Sequence, residues 1–186
     1  MPVTLLELWL PIVLGALAMF LLSFVFWMLM KHHYGDFRAL PQEDGLVEAL
    51  DGAPAGQFRF PWCGTPEEMA DPAFQERYNN GPKGFVVVLP RGPFAMGAGL
   101  GKTLLFCLVV TAAVGYVATI GLTRESAGMD VFRLTSTVTW LTACGAHGWS
   151  VIWMGRDRGQ TLRDVLDSLG YGLAVGALFM QFWPGA

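Results

Sequence analysis

The segment from residue 97 to residue 103 comes nearest to a known catalytic motif. Its glycines and its closing Gly-Lys-Thr resemble a nucleotide phosphate-binding loop. That motif requires another glycine five residues before the Gly-Lys-Thr glycine, and this position is Met96. The stretch that follows, residues 103–122, carries no charge, and no second acidic motif for magnesium is found. We therefore predict a glycine-rich entry to a membrane helix.

His147 is the one histidine inside a long apolar segment, and an ionisable side chain within a membrane is a candidate functional group. Two roles are open: ligation of a haem or chlorophyll, or a hydrogen bond to a neighbouring helix or partner. A haem with two axial histidines needs a second ligand at similar depth. His32 and His33 are expected about 9 Å away along the helix axis, at 1.5 Å per residue. We favour the hydrogen bond and keep His147 as the candidate cofactor-binding residue.

Two acidic residues, Asp164 and Asp167, are three positions apart and therefore share one face of a predicted helix. Together with Arg156, Arg158 and Arg163 they are expected to form a charge cluster at the membrane surface. A proton relay is the less favoured alternative, because no acidic residue deeper in the predicted bilayer continues a path.

The three cysteines, Cys63, Cys107 and Cys144, have no CxxC spacing, so neither a zinc site nor a disulfide framework is indicated. Cys63 is the most reactive by position, but no histidine is near it in sequence, and a lone thiol is weak support for nucleophilic chemistry. We therefore predict no catalytic residue, no metal site and no enzymatic activity.

Long apolar segments must position these residues. Hydrophobic residues make up 53% of the chain and charged residues 15%, against about 25% charged in soluble domains. A membrane-spanning helix needs roughly 20 apolar residues. The sequence therefore predicts an all-α membrane protein, a four-transmembrane-helix bundle whose spans cover residues 5–30, 103–122, 131–154 and 162–183.

Three parts are predicted: transmembrane helix 1 in residues 1–30, a loop domain in residues 31–101, and transmembrane helices 2–4 in residues 102–186. In the loop domain, short helices are expected after Pro41, Thr65 and Asp71. Residues 58–60 and 85–89 are expected to form strands that could pair. The loop domain is thus predicted to be a small α+β cap.

The basic residues predict the orientation. Seven lie in residues 31–102 and three in residues 155–163, whereas the opposite side has only Arg124 and Arg133. Since cytoplasmic loops carry the excess of lysine and arginine, we place the loop domain in the cytoplasm. Both termini are then periplasmic, in a multi-pass protein of the bacterial inner membrane.

Rows of small residues at four-residue spacing predict close contacts between membrane helices, because small side chains let backbones approach. Three rows are found, one in each of the last three helices: Thr111, Gly115 and Thr119; Thr135, Thr139 and Ala143; Ser168, Gly172 and Gly176.

Several loop segments carry a resemblance to a known family: residues 33–44, 58–63, 66–69, 71–74, 78–85 and 96–103. They resemble a widespread family of bacterial four-helix membrane proteins with no assigned activity. The resemblance extends more loosely through the later helices, so it implies the same helical architecture, but it supplies no reaction. The family pattern often has Cys-Pro directly after Phe-Pro, whereas Trp62 intervenes here.

Taken together, these features favour a non-catalytic accessory subunit of a larger bacterial bioenergetic complex, respiratory or photosynthetic, such as a reaction centre–antenna assembly. The expected partners are other membrane subunits and the lipid bilayer. A net charge of −3 without a basic stripe argues against nucleic acid. No cofactor is predicted, although bound lipid or pigment fits this setting. The alternatives are a haem- or chlorophyll-binding protein that uses His147, and a small transporter or channel.

Overall fold

The computed structural model describes residues 1–93 and 95–185. Phe94 and Ala186, which fall within the predicted loop domain and the predicted last part, lie outside the described residues. The chain forms two compact units. The first comprises Met1–Phe37, Ala95–Ile152 and Arg156–Ala186, and the second comprises Arg38–Phe94 and Trp153–Gly155.

The protein is mostly helical, with 68% of its residues in helices, as the composition predicts. The helices are α1 (Trp9–Phe24), α2 (Glu43–Ala49), α3 (Pro66–Ala70), α4 (Pro72–Asn80), α5 (Met96–Gly121), α6 (Gly128–Met154) and α7 (Arg158–Gln181). There are also two strands, β1 (Gly56–Phe60) and β2 (Gly84–Val88), and a 3₁₀ turn at Leu5–Leu8 leads into α1.

Two helical segments are long and apolar enough to cross a membrane: Leu5–Leu29, which includes α1, and α5. Only 17% and 33% of their most apolar windows are buried, so both turn most of their apolar surface outward. Length and hydropathy therefore support membrane association through these two segments. The first turns of α7 carry charges such as Arg163 and Asp164, and α6 is rich in threonine. The third and fourth predicted spans therefore stay predictions.

The core of the first unit lies where α1 packs against α5 and α7. Leu8, Ala16, Val114, Val175 and Phe179 are almost completely buried there. At the end of α5, Trp183 Nε1 donates a hydrogen bond of 2.9 Å to the carbonyl of Thr123. Glu7 pairs with Arg124 at the same end. The start of α1, the α5–α6 turn and the end of α7 therefore lie together.

Helix α6 packs on α7 through two glycines of α7. A Cβ on Gly172 would lie 2.7 Å from the backbone oxygen of Ser136, and a Cβ on Gly176 would overlap Ser136 Oγ. Trp140 Nε1 of α6 also donates to the Val165 carbonyl of α7, at 3.2 Å. The two backbones are thus so close that no side chain fits between them at these positions.

The far end of the first apolar segment departs from regular α-helix. Residues Val25–Leu29 form a π-helical turn, and Lys31–His33 form a 3₁₀ turn after the extended residue Met30. π turns change which face of a helix its side chains occupy, and they often occur at functional sites. Here they turn Phe26, Trp27 and the two following histidines towards α7.

The second unit contains the predicted hairpin. Strands β1 and β2 pair antiparallel, with Gly56 opposite Val88 and Phe60 opposite Gly84, so the predicted pairing is confirmed. Thr65 Oγ1 accepts from the backbone N–H of Glu68 at the start of α3, and Asp71 caps α4 in the same way. The Glu68 side chain accepts from the N–H of Gly64, one residue before the position that a capping box predicts.

Candidate functional site

The most chemically varied part of the molecule is a group of ionisable residues in the first unit, where the 3₁₀ turn meets α7 and the end of α6. We call this group the polar cluster. It comprises His32, His33, Asp36, His147, Arg156, Arg163, Asp164 and Asp167. Its acidic residues are buried, and so is His33.

His33 stands at the centre of the polar cluster, between two carboxylates. Its Nδ1 lies 2.6 Å from Asp36 Oδ2, and its Nε2 lies 2.9 Å from Asp167 Oδ2. Its side chain is 2% exposed and that of Asp36 is fully buried. An ionised carboxylate only accepts hydrogen bonds, so each of these contacts needs a proton or another cation.

Asp167 also meets a second histidine. His32 Nε2 lies 3.1 Å from Asp167 Oδ1 and 3.3 Å from Oδ2. Two imidazole nitrogens and one carboxylate therefore converge, and the three donor atoms all lie within 4.8 Å of one another. The other nitrogen of His32, Nδ1, is buried without a hydrogen-bond partner among the described residues.

Aromatic side chains hold the two imidazoles in place. Trp27 stacks on His33 with ring centroids 4.0 Å apart and an angle of 4° between the planes. Phe26 meets His32 edge-on at 6.3 Å and also contacts Tyr171 of α7. A Cβ on Gly170 would lie 3.0 Å from the Phe26 ring, so the glycine makes room for this packing. The π turn supplies both aromatic residues.

Electrostatics favour charged forms in the polar cluster. Burial lowers the pKa of His33, but the hydrogen bonds to Asp167 and Asp36 outweigh burial and raise it above its ordinary value. Burial raises the pKa of Asp36, but the hydrogen bonds from His33 and Arg163 outweigh it, so this pKa is lowered. His33 and Asp36 are therefore held as a charged pair.

A pocket of about 210 Å³ adjoins the polar cluster. Arg156, Asp164, Asp167 and His147 contribute its polar lining, and apolar residues of the surrounding helices complete it. Arg156 Nη2 lies 2.6 Å from Asp164 Oδ2, and Arg156 Nη1 lies 2.6 Å from His147 Nδ1. Because a guanidinium only donates, Nδ1 of His147 accepts this hydrogen bond and its Nε2 carries the ring proton.

The residues of the predicted charge cluster do not all pair with one another. Arg156 pairs with Asp164, as the sequence suggests, whereas Arg163 pairs with Asp36. Arg158 lies exposed at the start of α7. His147 contacts Arg156 in the turn between α6 and α7. Both roles considered for His147, cofactor ligation and a hydrogen bond to a neighbouring helix or partner, stay predictions.

Most residues of the predicted packing rows are buried, and two are half-buried. Thr111, Thr135, Thr139, Ser168, Gly172 and Gly176 are buried, Gly115 is buried against Ile12 and Leu5 of the first apolar segment, and Thr119 and Ala143 are half-buried. The hydroxyls of the threonines in these rows donate to carbonyls of their own helix, three or four residues earlier. Ser168 does the same with Asp164. These hydroxyls are therefore satisfied locally and do not form a row of free donors.

Two other candidates from the sequence, the glycine-rich segment and Cys63, are not members of the polar cluster. The glycine-rich segment 97–103 forms the first turns of α5, where Thr103 Oγ1 donates to the Gly99 carbonyl at 3.0 Å. In the second unit, Cys63 lines a pocket of about 260 Å³ and its sulfur lies 3.7 Å from Arg59 Nη2. All three histidines of the chain belong to the first unit, so Cys63 has no histidine base in its own unit.

Sequence reasoning missed His32, His33 and Asp36 as site residues. One local signal was present: His33 and Asp36 are three residues apart, which suits a contact within one turn. The contact of His33 with Asp167 joins positions 134 residues apart, and no local pattern predicts it.

Comparisons with protein families, with curated proteins and with solved structures produce no match to this chain. The family resemblance of the loop segments therefore stays a prediction, and function has to be argued from the geometry of the molecule.

Proposed function

We propose that the protein is an integral membrane protein with four spans that serves as a non-catalytic accessory subunit of a larger bacterial membrane assembly. The bioenergetic complexes predicted from the sequence are the host class to be tested first. The observation that carries the membrane location is the reversed polarity of α7.

Helix α7 turns its polar residues inward and its leucines outward. Asp164, Asp167 and Ser168 are buried, whereas the exposed face is a row of large apolar side chains: Leu162, Leu166, Leu169 and Leu173. A surface helix of a soluble protein has the opposite arrangement. An outward leucine face is stable against lipid, so the arrangement supports a membrane location for α7.

Helix α6 has the same reversed polarity. Thr135 and Thr139 are fully buried, while Leu141, Trp149 and Ile152 are more than half exposed. The charges of α7 lie in its first turns beside the 3₁₀ turn, a position at the membrane interface. These two helices can therefore cross the bilayer although their sequences are less apolar than those of α1 and α5.

Four spans make a specific prediction about topology. Glu125, in the exposed α5–α6 turn, should lie on the periplasmic side together with both termini, and Asp44 of the second unit should lie in the cytoplasm. In a variant without native cysteines, Glu125→Cys should react with a membrane-impermeant maleimide in intact spheroplasts. Asp44→Cys should react only after lysis. The reverse labelling pattern would contradict the orientation, and labelling of both in intact cells would contradict the four-span arrangement.

A partner surface is supported by the outward face of α6. Leu141, Gly145, Gly148 and Ile152 follow one another on one side of the helix. Apart from the adjacent residues and the nearby backbone of α6 itself, no atom of the described residues lies within 4 Å of a Cβ placed on either glycine. Glycine faces let a neighbouring membrane helix approach closely. The space above these glycines fits a helix of another subunit, so this face supports the accessory role.

The experiment that tests the proposal is a gentle purification of the tagged protein from its native membranes. Mass spectrometry should find a defined set of membrane subunits in fixed ratio to this chain. A lone chain or a homo-oligomer would contradict the accessory role. The absorbance spectrum tests the cofactor alternative, which predicts visible absorbance that belongs to this chain and is lost in His147→Ala.

A substitution on the α6 face tests where the partner binds. Gly148→Leu should reduce co-purification of partner subunits by roughly tenfold or more, because a leucine prevents close approach of a helix and each 1.4 kcal/mol is a tenfold change in affinity. Leu173→Ala, on the exposed face of α7, is the control and should leave co-purification unchanged. Equal recovery of partners with Gly148→Leu and with the native chain would show that the partner binds elsewhere.

A further inference from the structure

We propose that His32, His33 and Asp167 form a binding site for one divalent transition-metal ion, with Asp36 orienting His33. This inference does not depend on the accessory role, because the three residues belong to one unit of this chain. Two imidazoles with one carboxylate are a donor set that suits zinc, iron(II) or cobalt(II).

The distances between the carboxylate and the two imidazoles fit such an ion. A metal about 2.1 Å from each of its ligands separates neighbouring donor atoms by about 3.0–3.4 Å. The contacts of Asp167 with His33 and His32 measure 2.9, 3.1 and 3.3 Å. Small adjustments of the side chains would place one ion between the three residues.

The tautomer of His33 fits metal ligation. Asp36 Oδ2 accepts at 2.6 Å from Nδ1 of His33, so Nδ1 carries a proton and Nε2 is the nitrogen that faces Asp167. Between Nε2 and this carboxylate there must be either a proton or a metal ion, and a metal that binds here takes the proton's place. A carboxylate that orients the distal nitrogen of a ligating histidine is a recurring feature of metal sites. Trp27 and Phe26 hold the imidazoles in this arrangement.

Among the described residues, Asp167 also lacks the arginine partner that Asp36 and Asp164 have. Arg163 pairs with Asp36 and Arg156 pairs with Asp164, but no guanidinium or ammonium pairs with Asp167 among the described residues. Its carboxylate, 10% exposed, faces only the two imidazoles. Asp167 also lines the pocket of about 210 Å³, so ligand positions left open by three protein donors have space for water or a small ligand.

The test is a Co²⁺ titration of the full-length chain, purified in detergent and stripped with a chelator. One Co²⁺ per chain should bind after desalting, with ligand-field absorption in the visible range. Trp27 should be quenched because it stacks on His33, and Trp27→Phe identifies its share of the fluorescence. A native chain that retains no stoichiometric Co²⁺ overturns the proposal.

Variants assign the binding to these residues. His32→Ala should weaken Co²⁺ binding at least 10- to 100-fold, because even partners of ligands contribute that much to metal affinity. The side chain of His32 is 26% exposed, so this variant keeps the buried His33–Asp36 contact and should fold. Asp167→Asn should weaken Co²⁺ binding to a similar extent. Phe106→Leu, which lines the same pocket but lies outside the polar cluster, should bind Co²⁺ as the native chain does. Native affinity in His32→Ala, or an equal loss in Phe106→Leu, would refute the assignment.

Discussion

Replacement of Asp36 by alanine is expected to lower the free energy of unfolding by about 3 kcal/mol. Removing one member of a buried charge pair typically costs about 3–5 kcal/mol, because the partner's charge is left without compensation. The lower end is expected here, since Arg163 is 31% exposed and can recover some hydration, whereas His33 cannot. Reversible unfolding in mixed detergent micelles measures the change.

The chain offers a matched control for this prediction. Arg91 pairs with Asp51 at 2.5 Å, but both side chains are 77% exposed. Exposed pairs contribute about 0–1 kcal/mol, so Asp51→Ala should scarcely alter stability. If Asp36→Ala destabilised the protein no more than Asp51→Ala does, the polar cluster would not hold the helix ends together.

A substitution in the α6–α7 contact has the second large expected effect. Gly172→Ala should destabilise the protein by about 1–3 kcal/mol, the usual cost of overpacking, because its Cβ would press on the backbone oxygen of Ser136. Gly148→Ala is the control on the open face of α6 and should cause no loss. A Gly172→Ala variant as stable as the native chain would mean that the two helices lie farther apart.

Gly176 permits a sharper version of this test. A Cβ there would overlap Ser136 Oγ, a side-chain atom that a second substitution can remove. Ser136→Ala should therefore recover part of the stability lost in Gly176→Ala, but none of that lost in Gly172→Ala. Ser136→Ala alone should be nearly neutral, because this buried hydroxyl has no partner among the described residues. An equal recovery in both double variants would contradict the assigned contacts.

The sequence predicts the helices and the hairpin well, because local patterns define both. Long apolar runs predict α1 and α5, and β-branched and aromatic residues bounded by glycine predict the strands that pair through Gly56 and Val88. Thr65 and Asp71 mark the starts of short helices through their capping side chains. The spacing of the leucines in α7 also indicates its exposed face, because leucines on the outside of a membrane helix face lipid.

The polar cluster could not be predicted in the same way. Asp164 and Asp167 stand out in the sequence, and their closeness to Arg163 suggests that they are its partners. In the structure Arg163 instead pairs with Asp36, 127 residues away in the sequence. The π turn also rotates Phe26 and Trp27 away from the positions that a regular helix predicts. His147 has a nearby partner, Arg156, nine residues later, across a turn whose path the sequence does not specify.

The contact between α1 and α7 has a consequence for biosynthesis. His33 and Asp167 are separated by most of the chain, so the ribosome has made α1, the second unit, α5 and α6 before α7 emerges. Until then, α1 lacks the helix that covers its face towards Val175, and His33 has Asp36 but not yet Asp167 as a partner. Contacts between distant segments form late and slowly. In the proposed four-span arrangement, α1, α5 and α6 would therefore first form an open intermediate, which α7 closes when it arrives.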